Sequence, residues 1–208
     1  MPADISSAPR VPSGKIRAMD QLDRIVEPTE IVAGRYQLRP PSPRDVPDMM
    51  AMALDEDIRL WNPLPSGGDE ETARAWAERW ADFDGGTSGL FCVYEATEGR
   101  LLGMVSLHKI DLEHSFGELG YRVAPWARGR GVATVAVRTV TDWAFGFLGL
   151  TRMQLIHAVE NPASCRVADK AGYLLEGTTR SSYRYGDGKL HDEHLHGRLA
   201  TDPVGDQR

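Results

Sequence analysis

Two arginines and two glycines alternate in Arg128-Gly129-Arg130-Gly131, a combination that could bind an anion. Apolar residues recur at spacings of three and four from Ala133 to Leu148, so a helix should begin directly after them. Residues 126–132 contain no Ser, Thr, Asp or Asn to accept the first helical N–H groups. Free N–H groups with cations beside them favour the binding of a phosphate, and glycine, which has no Cβ, lets the anion come close to the backbone. The stretch therefore predicts a diphosphate site.

A strand is predicted just before this loop, from Phe116 to Ala124, and Pro125 ends it. Its two faces alternate, with Leu119, Tyr121 and Val123 on one and Glu118, Gly120 and Arg122 on the other. A bare Gly-x-Gly is more often only a tight turn with solvated arginines. The preceding strand, the missing cap and the paired arginines together favour the anion site.

The sequence Arg128-x-x-Gly131-x-Ala133, between a strand and a helix, resembles the acyl-CoA pyrophosphate loop of the GNAT acyltransferase superfamily. It is not a Walker loop, which continues with Gly-Lys-Ser/Thr, and it lacks a complete Gly-x-Gly-x-x-Gly. A second motif, Asn161-x-x-Ser164-x-x-Val167-x-x-Lys170-x-Gly172-Tyr173, resembles the other signature of the superfamily. With Leu119-Gly120-Tyr121 and Glu176-Gly177, the pattern is similar to the RimJ/RimL branch, whose members acylate protein N-terminal amines, and to its small-molecule relatives.

The resemblance implies acyl-CoA, most often acetyl-CoA, as co-substrate. Its pantetheine arm would lie between the strands ending at Val123 and Val159, which would splay apart. Asn161 would bind the arm or only cap a helix, and Lys170 would meet a CoA phosphate or stay solvated. The Val123 N–H would polarise the thioester carbonyl, a role worth ~3 kcal/mol. The cofactor-binding residues predicted in this way are Val123, Arg128, Gly129, Arg130, Gly131, Val132, Ala133, Thr134, Asn161 and Lys170.

The implied reaction is direct attack of a neutral amine on the thioester, with a proton supplied to the leaving thiolate. Many GNAT enzymes use a tyrosine as this acid, but the corresponding residue here is Ala168. Ser164, one turn earlier, could instead relay a proton or hydrogen-bond the thiolate. Glu118 is the leading candidate for the base, acting through water; the alternative is a hydrogen-bonded carboxylate at the rim.

The resemblance also implies that the early helices and the last hairpin form the walls of the acceptor pocket. These segments carry carboxylates and aromatic residues suited to a cationic amine, although exposed acidic loops are commoner. They are Asp55, Glu56, Asp57, Trp61, Tyr183, Tyr185, Asp187 and Asp192. A succinyl donor would need more room near Glu118 and a cation for its carboxylate, and the sequence places none. Two alternatives remain open: a non-catalytic acyl-CoA sensor, and an RNA-associated factor using Arg122, Arg128, Arg130 and Arg138.

The composition disfavours one of these alternatives and gives further predictions. The chain has 208 residues, and its formal charge of −6 disfavours a general nucleic-acid binder. We predict no membrane span and no signal peptide, and expect a cytoplasmic protein. Cys92 and Cys165 are the two cysteines, and we expect no disulfide. No Cys/His spacing is typical of zinc; His194 and His196 should share a strand face near His191, but we predict no metal site.

The predicted element order is strand, two helices, three strands, helix, strand, helix, two strands. It indicates an α/β single domain with a mixed, mostly antiparallel sheet flanked by helices, as in the GNAT fold. The domain should span residues 31–202. Residues 1–30 are predicted to be a partly mobile extension that could hold a short helix or contribute to a homodimer, and residues 203–208 a C-terminal tail.

Overall fold

The computed structural model describes residues 29–63, 69–81, 88–95, 97 and 99–203. Its centre is one eight-stranded sheet in the order β1-β2-β3-β4-β5-β6-β8-β7, which confirms the predicted mixed α/β architecture. Only β5 and β6 are parallel among its neighbouring strands. The strands are β1 Ile31–Ala33, β2 Tyr36–Arg39, β3 Gly89–Glu95, β4 Leu101–Asp111, β5 Phe116–Val123, β6 Arg152–Ala158, β7 Leu174–Arg184 and β8 Leu190–Leu199.

The α-helices are α1 Val46–Ala53, α2 Glu56–Trp61, α3 Glu70–Ala81, α4 Val132–Gly146 and α5 Pro162–Lys170. The prediction of a loop through residues 55–57 and 61–65 is wrong for the part that forms α2. Asp55 caps this helix by accepting a hydrogen bond from the Ile58 N–H at 3.0 Å, and Ile58 is buried in the core. The helix is too short to show a periodic apolar face, which is why its sequence resembles a loop.

Two further differences concern the ends of the domain. The three-residue strand β1, which the sequence did not indicate, pairs with β2. The predicted N-terminal extension lies outside the described residues except for 29 and 30, and the predicted tail lies outside them except for Pro203. No helix within the described parts of the chain is both long and apolar enough to cross a bilayer.

Helix α4 packs on the middle of the sheet, as its periodicity predicts. Ala136, Val137, Val140 and Ala144 are buried on it. They belong to the same hydrophobic core as Phe91 and Leu107 of the sheet. Because this face is fully buried, the N-terminus of α4 is held at a fixed place beside the end of β5.

Strands β5 and β6 pair for only part of their length. The parallel ladder runs from the pair Phe116–Arg152 to the pair Leu119–Leu155 and then stops. Beyond it, residues 120–123 and 156–158 diverge, which confirms the predicted splay. We call this opening the wedge.

Candidate active site

The wedge opens into a cavity of about 620 Å³. Its wall combines β5, β6, the loop before α4, the start of α5, α2 and the final hairpin. The structure brings together nine of the predicted cofactor-binding residues on this wall: Val123, Arg128, Gly129, Gly131, Val132, Ala133, Thr134, Asn161 and Lys170.

The helix start on this wall has the geometry of an anion site. Gly131 is the N-cap of α4 with φ of 77°, and no side chain caps the helix there. Gly129 also has a positive φ, 75°, and a Cβ at either glycine would meet no atom within 4 Å. The N-cap offers no side chain to the first N–H groups of α4, and Val132, Ala133 and Thr134, to which these groups belong, line the cavity at the positive end of the helix dipole.

The two loop arginines have different surroundings. Arg128 lines the cavity and forms ion pairs with Asp55 and Asp57 of the α2 region. Arg130 is ion-paired with Glu95 and is not among the cavity-lining residues. Because Asp55 and Asp57 already bind the Arg128 guanidinium, a phosphate at the loop must either displace one of these carboxylates or bind Arg128 beside them.

Backbone groups of β5 point into the wedge. The Ala124 N–H donates to the Leu102 carbonyl of β4 at 2.9 Å. Successive N–H groups of a strand point to opposite sides, so the Val123 N–H faces β6, where the ladder has ended. The Tyr121 carbonyl on the same side accepts a hydrogen bond from the Asn62 amide at 2.8 Å. Asn62 thus occupies part of the wedge and leaves the Val123 end open.

A tyrosine hydroxyl that sequence analysis missed lies beside Ser164. Tyr121 donates a hydrogen bond to the Ser164 Oγ at 2.9 Å, and both residues line the cavity. Burial raises the pKa of Tyr121 to about 12, so the phenol remains a proton donor at neutral pH. Asn161 positions the serine by capping α5, since its side chain accepts from the Ser164 N–H at 3.2 Å.

The other predicted catalytic residue, Glu118, does not line the cavity. Its carboxylate accepts hydrogen bonds from Lys109 at 3.0 Å and Gln154 at 2.6 Å, and pairs with His108 at 2.9 Å. Burial opposes ionisation, but these three contacts outweigh it and lower the pKa of Glu118 to about 2. The group is therefore a firmly ionised carboxylate that links β4, β5 and β6.

Arg122 is a cation on the cavity wall for which the sequence suggested no role in acyl transfer. One nitrogen of its guanidinium donates to Asn62 Oδ1 at 2.7 Å. Another, Nη1, is buried without a hydrogen-bond partner. Burial lowers the pKa of Arg122 to about 10, which still leaves it charged at neutral pH.

The far end of the cavity is aromatic and acidic. Of the predicted acceptor residues, Trp61 and Tyr185 line it, together with Glu160, which sequence analysis missed. Asp57 also lines the cavity, but beside Arg128 at the phosphate loop. The Tyr185 ring packs edge-on against Trp61 with centroids 5.5 Å apart. The hairpin lies close to α2 here, because the Gly186 N–H donates to the Leu60 carbonyl at 2.9 Å.

The other predicted aromatic and acidic residues lie outside the cavity wall, three of them on the same hairpin. Tyr183 packs against Tyr185, and Asp187 pairs with His191. Asp192 accepts a hydrogen bond from the Ser181 N–H. The remaining two belong to the α2 region, where Glu56 is exposed in the first turn and Asp55 pairs with Arg128.

Comparisons with known proteins agree with this architecture. The family model "Acetyltransferase (GNAT) domain" matches residues 35–174, which is more than half of the chain. The "Putative ribosomal N-acetyltransferase YdaF" of Bacillus subtilis is 32% identical over 158 residues, covering 72% of this chain and 83% of that protein. A "Spermidine N(1)-acetyltransferase" of Vibrio cholerae is 32% identical over 85 residues, or 41% of this chain and 49% of that one.

A solved structure shows the same fold. RimJ of Mycobacterium smegmatis, in complex with CoA-disulfide, superposes with a TM-score of 0.74 at 22% identity, covering 87% of this chain and 90% of that chain. The domain match and the Bacillus relative confirm the family that the two sequence motifs indicated. The chain belongs to the GNAT acetyltransferase family, in its RimJ/RimL-like branch, and is an N-acetyltransferase.

Proposed function

We propose that the chain transfers an acetyl group from acetyl-CoA to a primary amine by direct attack within a ternary complex. The observation that carries this proposal is the wedge, where an open backbone edge of β5 and the uncapped start of α4 share one cavity. An extended thioester arm fits the open edge, and a diphosphate fits the helix start. The solved RimJ relative holds a CoA species on the same fold.

In this proposal the loop residues Arg128–Thr134 bind the diphosphate through N–H groups and Arg128. Asn161 binds the pantetheine arm with the part of its amide that does not cap α5, and Lys170 meets a CoA phosphate at the cavity edge. The Val123 N–H, which faces the open side of β5, polarises the thioester carbonyl.

The proton for the leaving thiolate comes through Ser164, whose hydroxyl is itself hydrogen-bonded by Tyr121. A phenol with a pKa of about 12 is a weak acid. Its role is therefore to donate a hydrogen bond that stabilises negative charge developing on the sulfur through Ser164. Glu118 remains our candidate for the base, acting through water, with His108 between it and the Gly120 segment of the wedge. With a pKa of about 2 it holds a proton only weakly, so its part is to attract and orient the amine proton while water carries that proton to solvent.

The acceptor is a cationic amine, either a protein N-terminus or a small polyamine. Glu160 supplies negative charge to the far end of the cavity, and Trp61 and Tyr185 supply aromatic surface. The names of two relatives, one ribosomal and one acting on spermidine, span the same two classes of amine.

One observation favours a second donor, succinyl-CoA. The sequence placed no cation near the acyl end, but the buried Arg122 Nη1 faces no hydrogen-bond acceptor and belongs to a cavity-lining residue. Because this nitrogen is shielded from solvent, the guanidinium would have to turn toward the cavity before a carboxylate on the acyl group could bind it. In this case Arg122→Met should reduce succinyl transfer strongly and acetyl transfer little.

Calorimetry with acetyl-CoA, succinyl-CoA, free CoA and NAD tests the donor site, and an amine panel containing N-terminal peptides and polyamines tests transfer. We expect binding of CoA species but not NAD, and intersecting initial-velocity lines, because no covalent enzyme intermediate forms. Parallel lines would contradict direct attack. Tight CoA binding without turnover on any amine would instead support the acyl-CoA sensor.

A further inference from the structure

Four side chains with metal-binding atoms converge beside the cavity, whose wall includes one of them, His157; none of the four has a role in the acyl transfer proposed above. They are His157 of β6, Cys165 of α5, and His194 and His196 of β8. One ligand atom from each lies within 4.8 Å of every other. His157 and His196 are buried, while Cys165 and His194 are partly exposed, which leaves an entry path.

The sheet register explains why the sequence spacing concealed this cluster. His157 is the cross-strand partner of His194 in the antiparallel β6–β8 pair. His196 lies two residues further along β8 and so on the same face. The cysteine comes from α5, which crosses above these strands. Three separate elements contribute, so no short Cys/His motif appears in the chain.

Three of the six separations between the ligand atoms fit a tetrahedral metal site, and all six are within 4.8 Å. Bonds of the usual zinc lengths require ligand atoms about 3.3 Å apart for two nitrogens and about 3.6 Å for nitrogen and sulfur. The Nε2 atoms of His157 and His196 are 3.2 Å apart. The Cys165 Sγ lies 3.3 Å from His194 Nδ1 and 3.8 Å from His196 Nε2.

The hydrogen bonds leave an unfavourable contact that a cation would remove. The Nδ1 atom of His157 lies 2.8 Å from the Ala158 carbonyl, so it carries the proton and its Nε2 carries a lone pair. For His196 Nε2 to donate to that lone pair, its Nδ1 must be an acceptor, yet this atom is buried without a partner. With a metal, both Nε2 atoms bind the ion and the His196 proton moves to Nδ1, which removes the contact between the two Nε2 atoms.

We propose that His157, Cys165, His194 and His196 bind one Zn²⁺ ion in a closed, structural site. Three imidazoles and one thiolate are a donor set suited to zinc, and four protein ligands leave no open position for catalysis. Binding releases the Cys165 thiol proton to solvent, while the three histidines bind as neutral rings. The ion would tie α5, which carries Asn161 and Ser164, to β6 and β8.

Spectroscopy of the untagged full chain, freed of metal by a chelator, tests the site. We expect one Co²⁺ or Zn²⁺ per chain, with Co²⁺ giving the intense visible bands of tetrahedral coordination and a thiolate charge-transfer band. Cys165→Ser should abolish the charge-transfer band, and His194→Ala should weaken affinity more than the ~10-fold typical of losing an outer contact. Both residues are partly exposed, so these variants should fold.

The controls separate this site from other ligands in the chain. Cys92 is buried in the core and is still present in Cys165→Ser. Loss of the charge-transfer band in this variant would therefore assign the band to Cys165. His114→Ala removes an exposed histidine that pairs only with Asp111 and should leave the metal affinity unchanged. Absence of stoichiometric binding, or equal affinity in Cys165→Ser, His194→Ala and the parent chain, would overturn the proposal.

Discussion

The two ends of the cavity are built in different ways. The donor end is one continuous stretch, residues 128–134, whose geometry depends on two positive-φ glycines and a helix start. The reacting end is assembled from separate elements, with Tyr121 on β5, Ser164 on α5 and Asn62 just after α2. Local backbone conformation governs the first, and tertiary packing governs the second.

This difference predicts distinct responses to substitution. Changes at the donor end should alter CoA affinity and leave the chemistry of bound substrate intact. Changes at the reacting end should lower kcat with little effect on affinity.

Ser164→Ala should lower kcat about 100-fold while CoA affinity changes little, because loss of a positioned proton donor typically costs at least this much. Steady-state kinetics at saturating amine, together with calorimetry, gives both quantities. Ser106→Ala is a matched control, since this half-buried hydroxyl lies on β4, bonded to the Gly120 carbonyl but outside the cavity wall. An equal loss in both variants would contradict the role of Ser164.

The Tyr121–Ser164 contact adds a sharper form of this test. If Tyr121 acts only through Ser164, Tyr121→Phe should lower kcat in the parent chain but not in Ser164→Ala. Additive losses in the double variant would mean that the phenol acts independently on the substrate.

Gly131→Val should weaken CoA binding about 10- to 100-fold, equivalent to losing one charge-assisted hydrogen bond of about 1.5–3 kcal/mol. Valine strongly disfavours a φ of 77°, so the loop must change conformation. Gly99→Val is the control, because this hairpin glycine has a φ of 62° with equally open surroundings and lies away from the cavity. Both variants should lose similar stability, and only the first should lose affinity.

The contrast between the two ends also shows how far the sequence could be interpreted. Residues 128–134 and Asn161–Ser164 could be identified because each feature is local: a missing cap, two glycines, and a capping asparagine before a helix. The mixed, mostly antiparallel sheet and the splay of β5 from β6 followed from the resemblance that these motifs established. They are confirmed.

The features that could not be predicted from the sequence are side-chain contacts between residues far apart in the chain. The hydroxyl of Tyr121 reaches Ser164 across 43 positions, and Asn62 reaches β5 across 59. The contacts that lower the pKa of Glu118 come from β4 and β6. No periodicity or motif spacing encodes such contacts, because each requires the register of neighbouring strands.

Glu118→Gln should lower the unfolding free energy by about 3 kcal/mol at neutral pH, equivalent to roughly 5–10 °C in Tm. The folded pKa of about 2 lies below the unfolded value of 4.5, so this stabilisation is complete above about 4.5 and is lost as pH falls toward 2. Unfolding measured between neutral pH and acid should show the difference between the two proteins shrinking.

The same variant tests the catalytic hypothesis for Glu118. Loss of a base should lower kcat and change its pH profile while sparing CoA affinity, whereas a purely structural carboxylate should leave the profile unchanged. Asp111→Asn provides the matched control, because Asp111 also pairs with a histidine, but at the surface. Unchanged turnover in Glu118→Gln across pH would remove this residue from the mechanism.

Asp57→Asn should produce the smallest effect, an increase of about two- to fivefold in CoA affinity. Asp57 is ion-paired with Arg128 and lines the cavity, so it competes with a phosphate for this cation and repels it. Exposed ion pairs contribute only about 0–1 kcal/mol, which limits the gain.

Glu56→Gln is the control, because it changes the net charge equally in the same turn of α2 but removes neither carboxylate that pairs with Arg128, Asp55 or Asp57. Tighter CoA binding in Asp57→Asn alone would show that a carboxylate of α2 weakens CoA binding at the phosphate loop. The difference in affinity from the parent chain should become smaller as added salt screens the charges. Equal CoA affinities in the two variants would mean that the carboxylates of α2 have no specific effect on CoA binding.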